Sequence, residues 1–339
     1  MLAHTSSLQD STPQIELAIE HAADALRTEI DAGLPDFASW TVFGSLVYMS
    51  EQRAADYESL NSLRTHPIDL TDGSFTMVSY RDGREGMDEL TEVITRSRQE
   101  WYKKANLLQP SAKAADEIRG PQVEFYAVIE TRSNTEEGNE AEEVPIASFR
   151  KVHGSKPGAI HEMPSHQKFV TEDALSDEGR ALIEERVKGR EVVEIAALWK
   201  EKGYAPDGQM AMYRQAIHDS IARNEVWFMG VVDKVHGDLT TMFGPRVIRD
   251  VGERIEVKGE DAVEGTYITP ALVDPSTFFD DMLDGVDDDK AAGRNFESRQ
   301  KRWVISYFLE GLDMSLLSEE TIARLDDRQP MGVEGKAAA

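Results

Sequence analysis

Two periodicities alternate along the chain. From Gln14 to Ala32 the apolar residues Ile15, Ile19, Ala22, Ala23, Leu26 and Ile30 recur three and four apart, which predicts an amphipathic helix closed by Gly33 and Pro35. A second helical stretch is expected from about Asp36 to Arg64, with a break at Pro67 and Asp72–Gly73. Phe75–Arg81 (FTMVSYR) is a short β-prone run, followed by a turn at Asp82–Gly83 and a helix with Met87, Leu90, Ile94 and Trp101 on one face. Val123–Glu130 and Pro145–Val152 read as the strands of a hairpin, joined by a polar, acidic loop from Ser133 to Glu143.

After a loop rich in Gly, Pro and His, a helix is expected from about Glu172 to Lys188 and a strand at Val192–Trp199 (VVEIAALW). A helix at about Met210–Asn224, a strand at Val226–Asp233 and a short helix to Phe243 follow, then strands around Val247–Val257 and Gly265–Val273. The acidic run Asp280 to Asp289 is expected to be a solvated surface, and the remainder helical, with Trp303, Tyr307 and Phe308 as its buried side. There is no internal repeat and no sustained heptad. The expected organisation is an N-terminal helical extension (1–73), one α/β (α+β) domain (74–285) and a C-terminal helical segment and tail (286–339). The first of these is expected to be an accessory layer that supplies no catalytic residue.

Composition narrows the class of protein. A chain of 339 residues with 40% apolar content has ample length for a sizeable core. Its net formal charge of −26 argues against a generic phosphate-backbone binder, so nucleic acid is not an expected partner. The absence of cysteine removes disulfides, thiolate catalysis and thiolate metal ligation, and suits a reducing compartment. The opening MLAHTSSLQDST lacks the basic and apolar segments of a secretory signal, and eighteen successive apolar residues occur nowhere, so a cytoplasmic protein with no membrane span is expected.

The order strand, helix, two-strand hairpin, strand, helix, strand, helix, strand is that of the GNAT fold, a central mixed β-sheet flanked by helices, and it covers about Ser74 to Leu283. Within that fold the second half resembles the acyl-homoserine-lactone (autoinducer) synthase branch. The matching stretches are Glu194 in VVEIAALW, AMYRQAI from Ala211 to Ile217, Asp233 eleven residues before Gly244, GPRVIRDVGE from Gly244 to Glu253, and TYITPALVDPSTFFDDML from Thr266 to Leu283. The family's Glu-Leu-Ser-Arg is here Glu194, Ile195, Ala196 and Ala197, and its N-terminal arginine, phenylalanine and tryptophan pattern is not evident. What the resemblance implies is therefore an N-acyltransferase in the broad sense rather than synthesis of a homoserine lactone.

Acyl transfer from a thioester to an amine needs a base, backbone N–H groups for the carbonyl, and a cradle for the donor. Glu194 is the candidate base, a carboxylate inside an apolar run; the competing reading is the exposed face of an alternating strand. The donor is expected along Ala197, Leu198 and Trp199, with phosphate oxygens at the helix start near Gly208, Gln209 and Met210. The Gln/Arg-x-x-Gly-x-Gly/Ala signature of coenzyme A users is absent, which leaves acyl-CoA and an acyl-carrier-protein thioester both open as co-substrate. Arg96, Arg98, Lys103 and Lys104, or Arg150, Lys151 and Lys156, would dock an acidic carrier protein or are simply solvated charge. Thr240 falls where many members of the fold carry a tyrosine acid, with Tyr213 and Tyr267 as substitutes or core aromatics. His153, His161 and His166 share one loop at spacings of no familiar metal motif, and no metal is expected. The alternative to a small-molecule amine acyltransferase is a degenerate GNAT-like domain that binds an acyl ligand or protein partner without catalysis.

Overall fold

The computed structural model describes residues 75–104, 119–132, 142–201, 207–258 and 263–326. The two expected N-terminal helices and most of the acidic hairpin loop lie outside these residues. Two compact units divide the chain, and the larger, Asp69–Glu201 with Gly208–Arg324, contains the sheet.

In chain order come β1 (Phe75–Arg81), α1 (Asp88–Lys104), β2 (Val123–Arg132), β3 (Glu142–His153), α2 (Pro164–Thr171) and α3 (Asp177–Val187). Then follow β4 (Glu191–Lys200), α4 (Asp207–Arg223), β5 (Glu225–Val232), α5 (Asp233–Phe243), β6 (Arg249–Asp250), β7 (Ile255–Glu256) and β8 (Tyr267–Val273). Helices α6 (Phe278–Ala291), α7 (Asn295–Leu309) and α8 (Glu319–Asp326) end the described chain. One eight-stranded sheet runs β1-β2-β3-β4-β5-β8-β6, with β7 also on β8. Neighbours are antiparallel except β4 and β5, which are parallel because α4 crosses over between them. The result is a mixed α/β architecture, a central mixed sheet with helices packed on it, in the order of elements that the sequence implied.

Alternation along the strands supplies two cores. Val123, Phe125, Ala127 and Ile129 of β2 pack with Tyr80 and Val152 against Ile94 of α1. Val192 of β4, Val226 and Phe228 of β5 and Leu272 of β8 pack against Phe169 of α2 and Ile183 and Val187 of α3. Each such large apolar side chain contributes about 1.5–3 kcal/mol on burial.

Several expectations are corrected. The Gly, Pro and His loop contains helix α2, which starts on Pro164 at a position where a missing N–H costs nothing. Phe169 is its one fully buried residue, so it shows no apolar period. The helix expected from Glu172 begins only at Asp177: Asp173 has a left-handed φ of 53°, Leu175 bridges to Gly252, and Ser176 accepts from Gly179 N at 2.9 Å as the cap. The strands around Val247–Val257 shrink to the two-residue β6 and β7, and Asp233 opens α5 instead of closing β5. The run Asp280 to Asp289 is not merely solvated. Asp281 accepts from Arg249 at 2.7 Å, Asp280 and Asp284 from Arg324 at 2.9 and 2.6 Å, and the buried Asp289 from Arg294 and Lys301. These cations come from β6, α7, α8 and the turn before α7, which the acidic run alone does not reveal.

Lys151 is fully buried and therefore cannot belong to a docking surface; Arg98 is buried as well. Lys151 Nζ donates to Glu225 Oε2 (2.9 Å), Ser220 Oγ (2.7 Å) and Ala216 O (3.1 Å), using all three ammonium donors. Ser220 Oγ also donates to Glu225 (2.6 Å) and accepts from Trp227 Nε1 (2.7 Å), so one network ties β3, α4 and β5 together.

Beside it, Glu124 accepts from Arg223 at 2.7 and 3.2 Å and from His153 at 3.2 Å. Burial alone would raise its pKa, but the His153 and Arg223 bonds outweigh burial and hold the carboxyl down at about 2. A depressed carboxyl stabilises the fold above its ordinary 4.5, and that contribution is lost as pH falls toward about 2. Thermal melts across that window should therefore drop more steeply for the parent than for Glu124→Gln. Parallel curves would show that the pair contributes nothing.

Candidate functional site

Strands β4 and β5 pair only as far as Glu194↔Phe228, and beyond that step they separate. A register shift opposite β3, between Ser148 and Arg150, coincides with a φ of 59° at Ala197. An alanine in the left-handed region stores roughly 1–2 kcal/mol, and such strain persists only where the surroundings impose it. This β-bulge turns β4 away from β5 and opens a cavity of about 220 Å³. Ile195, Ala197 and Leu198 line one wall and Trp227, Met229 and Val231 the other, with Tyr213, Leu239, Phe243 and Phe278 beneath. A single water needs roughly 10–15 Å³, so the space far exceeds what an acetyl group fills. The lining is mostly apolar, and its polar side-chain groups are the hydroxyls of Tyr102, Tyr213 and Thr266 and the indole N–H groups of Trp101 and Trp227. Tyr102 Oη donates to Leu198 O at 3.4 Å, directly beside the bulge.

Glu194 is 5% exposed and stands at the last paired step, on the face opposite Ile195. It is absent from the cavity lining. Ser165 N donates to Oε2 and Ser165 Oγ to Oε1, both at 2.9 Å. Ser165 is the second residue of α2, so its N–H is one that the helix itself leaves unsatisfied, and the carboxylate meets the positive end of the helix dipole. Burial pushes the Glu194 carboxyl above its ordinary value, opposed by the Ser165 bonds and the Arg150 charge. Glu194 is thus buried rather than on the exposed face of an alternating strand, and it caps a helix that the sequence did not reveal.

Gly230 connects this pair to the cavity. It belongs to the cavity wall, and a Cβ placed on it would lie 3.1 Å from Ser165 Oγ and 3.2 Å from a Phe169 ring carbon. The Ser165 hydroxyl therefore lies against the back of that wall. Gly230→Ala should cost about 1–3 kcal/mol in denaturant unfolding through overpacking, since two neighbours must yield. A change below a few tenths would mean that α2 shifts freely.

Of the expected donor-binding residues, Ala197 and Leu198 line the cavity. Trp199 is buried and off the cavity lining, its indole N–H without a hydrogen-bond partner among the described residues. Gly208, Gln209 and Met210 fall in the first turn of α4, Gly208 and Met210 buried. Thr240 is half-buried and off the cavity lining, its hydroxyl unpartnered among the described residues. Tyr213 lines the cavity, and burial keeps its hydroxyl protonated by raising its pKa. Tyr267 lies under Arg254, 4.5 Å from ring centre to guanidinium.

Tyr102 carries no signal in the sequence, because its hydroxyl meets Leu198 O only where β4 bends. The three histidines do not share a loop: His153 is in β3, His161 in a 3₁₀ turn and His166 in α2, edge-on to Phe228 at 5.4 Å. Among the described residues no group of His, Asp or Glu side chains could hold a metal, and no helix is long and apolar enough to cross a membrane. Arg96, Lys104 and Lys156 are exposed.

No protein-family model matches the chain, and no curated protein matches it. Among solved structures, "The structure of FeeM, an N-acyl amino acid synthase from uncultured soil microbes" is similar at 10% identity and a TM-score of 0.42, over 61% of this chain and 95% of that one.

Proposed function

We propose that this chain is an N-acyltransferase that moves an acyl group from a thioester, acyl-CoA or an acyl-carrier-protein thioester, to a small-molecule amine. The observation that carries this reading is the apolar cavity opened by the parting of β4 and β5 at the Ala197 bulge. A strand pair that separates leaves backbone groups of β4 available to a ligand, and a void of this size and polarity suits a hydrocarbon chain. The acyl chain enters the cavity, and the thioester lies along Ala197 and Leu198. If the donor carries phosphates, the first-turn N–H groups of Gly208, Gln209 and Met210 are suited to hold them.

The amine meets the thioester where β4 and β5 part, at the end of the pairing that Glu194 closes. Glu194 takes the proton from its ammonium, directly, through water or through the Ser165 hydroxyl. The nitrogen then attacks the carbonyl carbon, the C–S bond breaks, and the thiolate leaves with a proton from the nitrogen, giving amide and thiol. Tyr102, protonated and beside Leu198, is placed to give the departing sulfur a hydrogen bond while keeping its own proton.

Two observations favour the second reading, binding without turnover. Both Glu194 oxygens are engaged by Ser165, and Thr240 stands where the resemblance places a tyrosine. Native mass spectrometry of the purified full chain separates the readings. A retained amide product supports catalysis, a retained intact acyl ligand that never turns over favours binding alone, and failure to bind any acyl group removes both.

A further inference from the structure

We propose that Phe243 sets the length of acyl chain that the cavity accepts. The inference rests on the reading of the cavity as the acyl-donor site. The lining divides by exposure: Ala197, Leu198 and Val235 are half-buried and mark the mouth, whereas Tyr213, Phe243 and Phe278 are at most 6% exposed and mark the closed end. Along α5, Val235, Leu239 and Phe243 recur four apart on the cavity side, with burial increasing from the first to the last. This helix face therefore follows the chain from entrance to end wall.

Phe243 is the centre of that wall. Its ring lies 6.0 Å from Tyr213, 5.6 Å from Phe278 and 5.5 Å from Phe308, at interplanar angles of 82°, 72° and 82°. Phe308 is fully buried behind it and does not reach the cavity. Edge-to-face rings at these separations occupy a preferred geometry, and an interior packed to crystal density has no slack through which one ring can retreat. Phe243 is also the last residue of α5, anchored by the Gly244 N–H to Thr240 O bond of 2.8 Å, so its backbone is held too. A chain terminus that reaches Phe243 gains apolar contact with each carbon up to the ring and meets a fixed surface at the next.

The test uses S-acyl pantetheine thioesters, the part common to both candidate donors, from butyryl to hexadecanoyl in two-carbon steps. Affinity for the full chain is measured by titration calorimetry. For the parent, affinity should rise about tenfold per two carbons and then break at one length. Phe243→Leu should move the break about two carbons longer, and Phe243→Trp should move it shorter. Because each variant has its own required direction, either one alone decides if the other does not fold. A break that stays put in a folded variant overturns the role of Phe243 and leaves the acyl cavity standing. Failure of the parent to bind any of the thioesters overturns the cavity reading, and this inference with it.

Discussion

Glu194→Gln is expected to lower turnover roughly 10²- to 10⁴-fold at neutral pH while leaving thioester binding intact. An alkyl ammonium with a pKa near ~10 is almost wholly protonated there, so a positioned carboxylate supplies most of the reactive amine. Burial sets the Glu194 carboxyl above its ordinary 4.5, so the parent rate should decline as pH falls through that raised value. The variant should lack this inflection, and its deficit should shrink as pH rises toward the amine's own pKa. The stability linkage has its own sign. A raised carboxyl pKa stabilises the fold below 4.5, and that contribution is lost as pH rises through the folded value. At neutral pH the parent therefore carries a buried charge that glutamine does not, while Ser165 keeps one acceptor oxygen and a hydroxyl able to rotate, so the fold should survive. If Glu194 only caps α2, then Glu194→Gln and Ser165→Ala will change unfolding midpoints and leave the single-turnover rate and its pH profile unchanged.

Lys151→Met is expected to destabilise the protein by about 3–5 kcal/mol, because it leaves the buried Glu225 charge without its ammonium. Arg223 and His153 approach the other oxygen of Glu225 to 3.6 and 3.8 Å, beyond hydrogen-bonding distance, so they offset part of the charge but do not replace the bond that Lys151 makes. Adding Glu225→Gln should restore a substantial part, since removing both charges removes the uncompensated one. Equilibrium urea unfolding of the two single variants and the double variant measures this coupling. A single-variant loss below about 1 kcal/mol would mean that water or another cation reaches Glu225. The consequence extends to the site, because Tyr213 and Ile217 of the cavity sit on the helix that this network pins to the sheet.

What the sequence revealed follows from where the physics is local. β1, β4, β5 and α5 were legible within a residue or two, because apolar runs and turn residues in their own segments specify them. Glu194 was legible as a carboxylate inside an apolar run. Its partner Ser165 was not, since it comes from a short Pro-led helix with only Phe169 fully buried. The Ala197 bulge leaves no sequence sign either, because alanine does not announce a left-handed backbone as glycine or asparagine does. Lys151 and the acids of α6 were read as surface because their partners lie on other elements, and pairing of that kind appears only once the sheet has assembled. Tyr102 was missed for the same reason: its role depends on where β4 bends.

The central claim is that the cavity delivers an acyl group to an amine, and the most direct measurement is a single-turnover reaction followed by mass spectrometry. The purified full chain is mixed with an S-acyl pantetheine that binds it and a panel of primary amines, and amide and free thiol are quantified together. The account predicts amide and thiol appearing one for one, faster than without protein and suppressed by Glu194→Gln. Thioester that stays bound and intact, or that releases thiol with no amide formed, would contradict it.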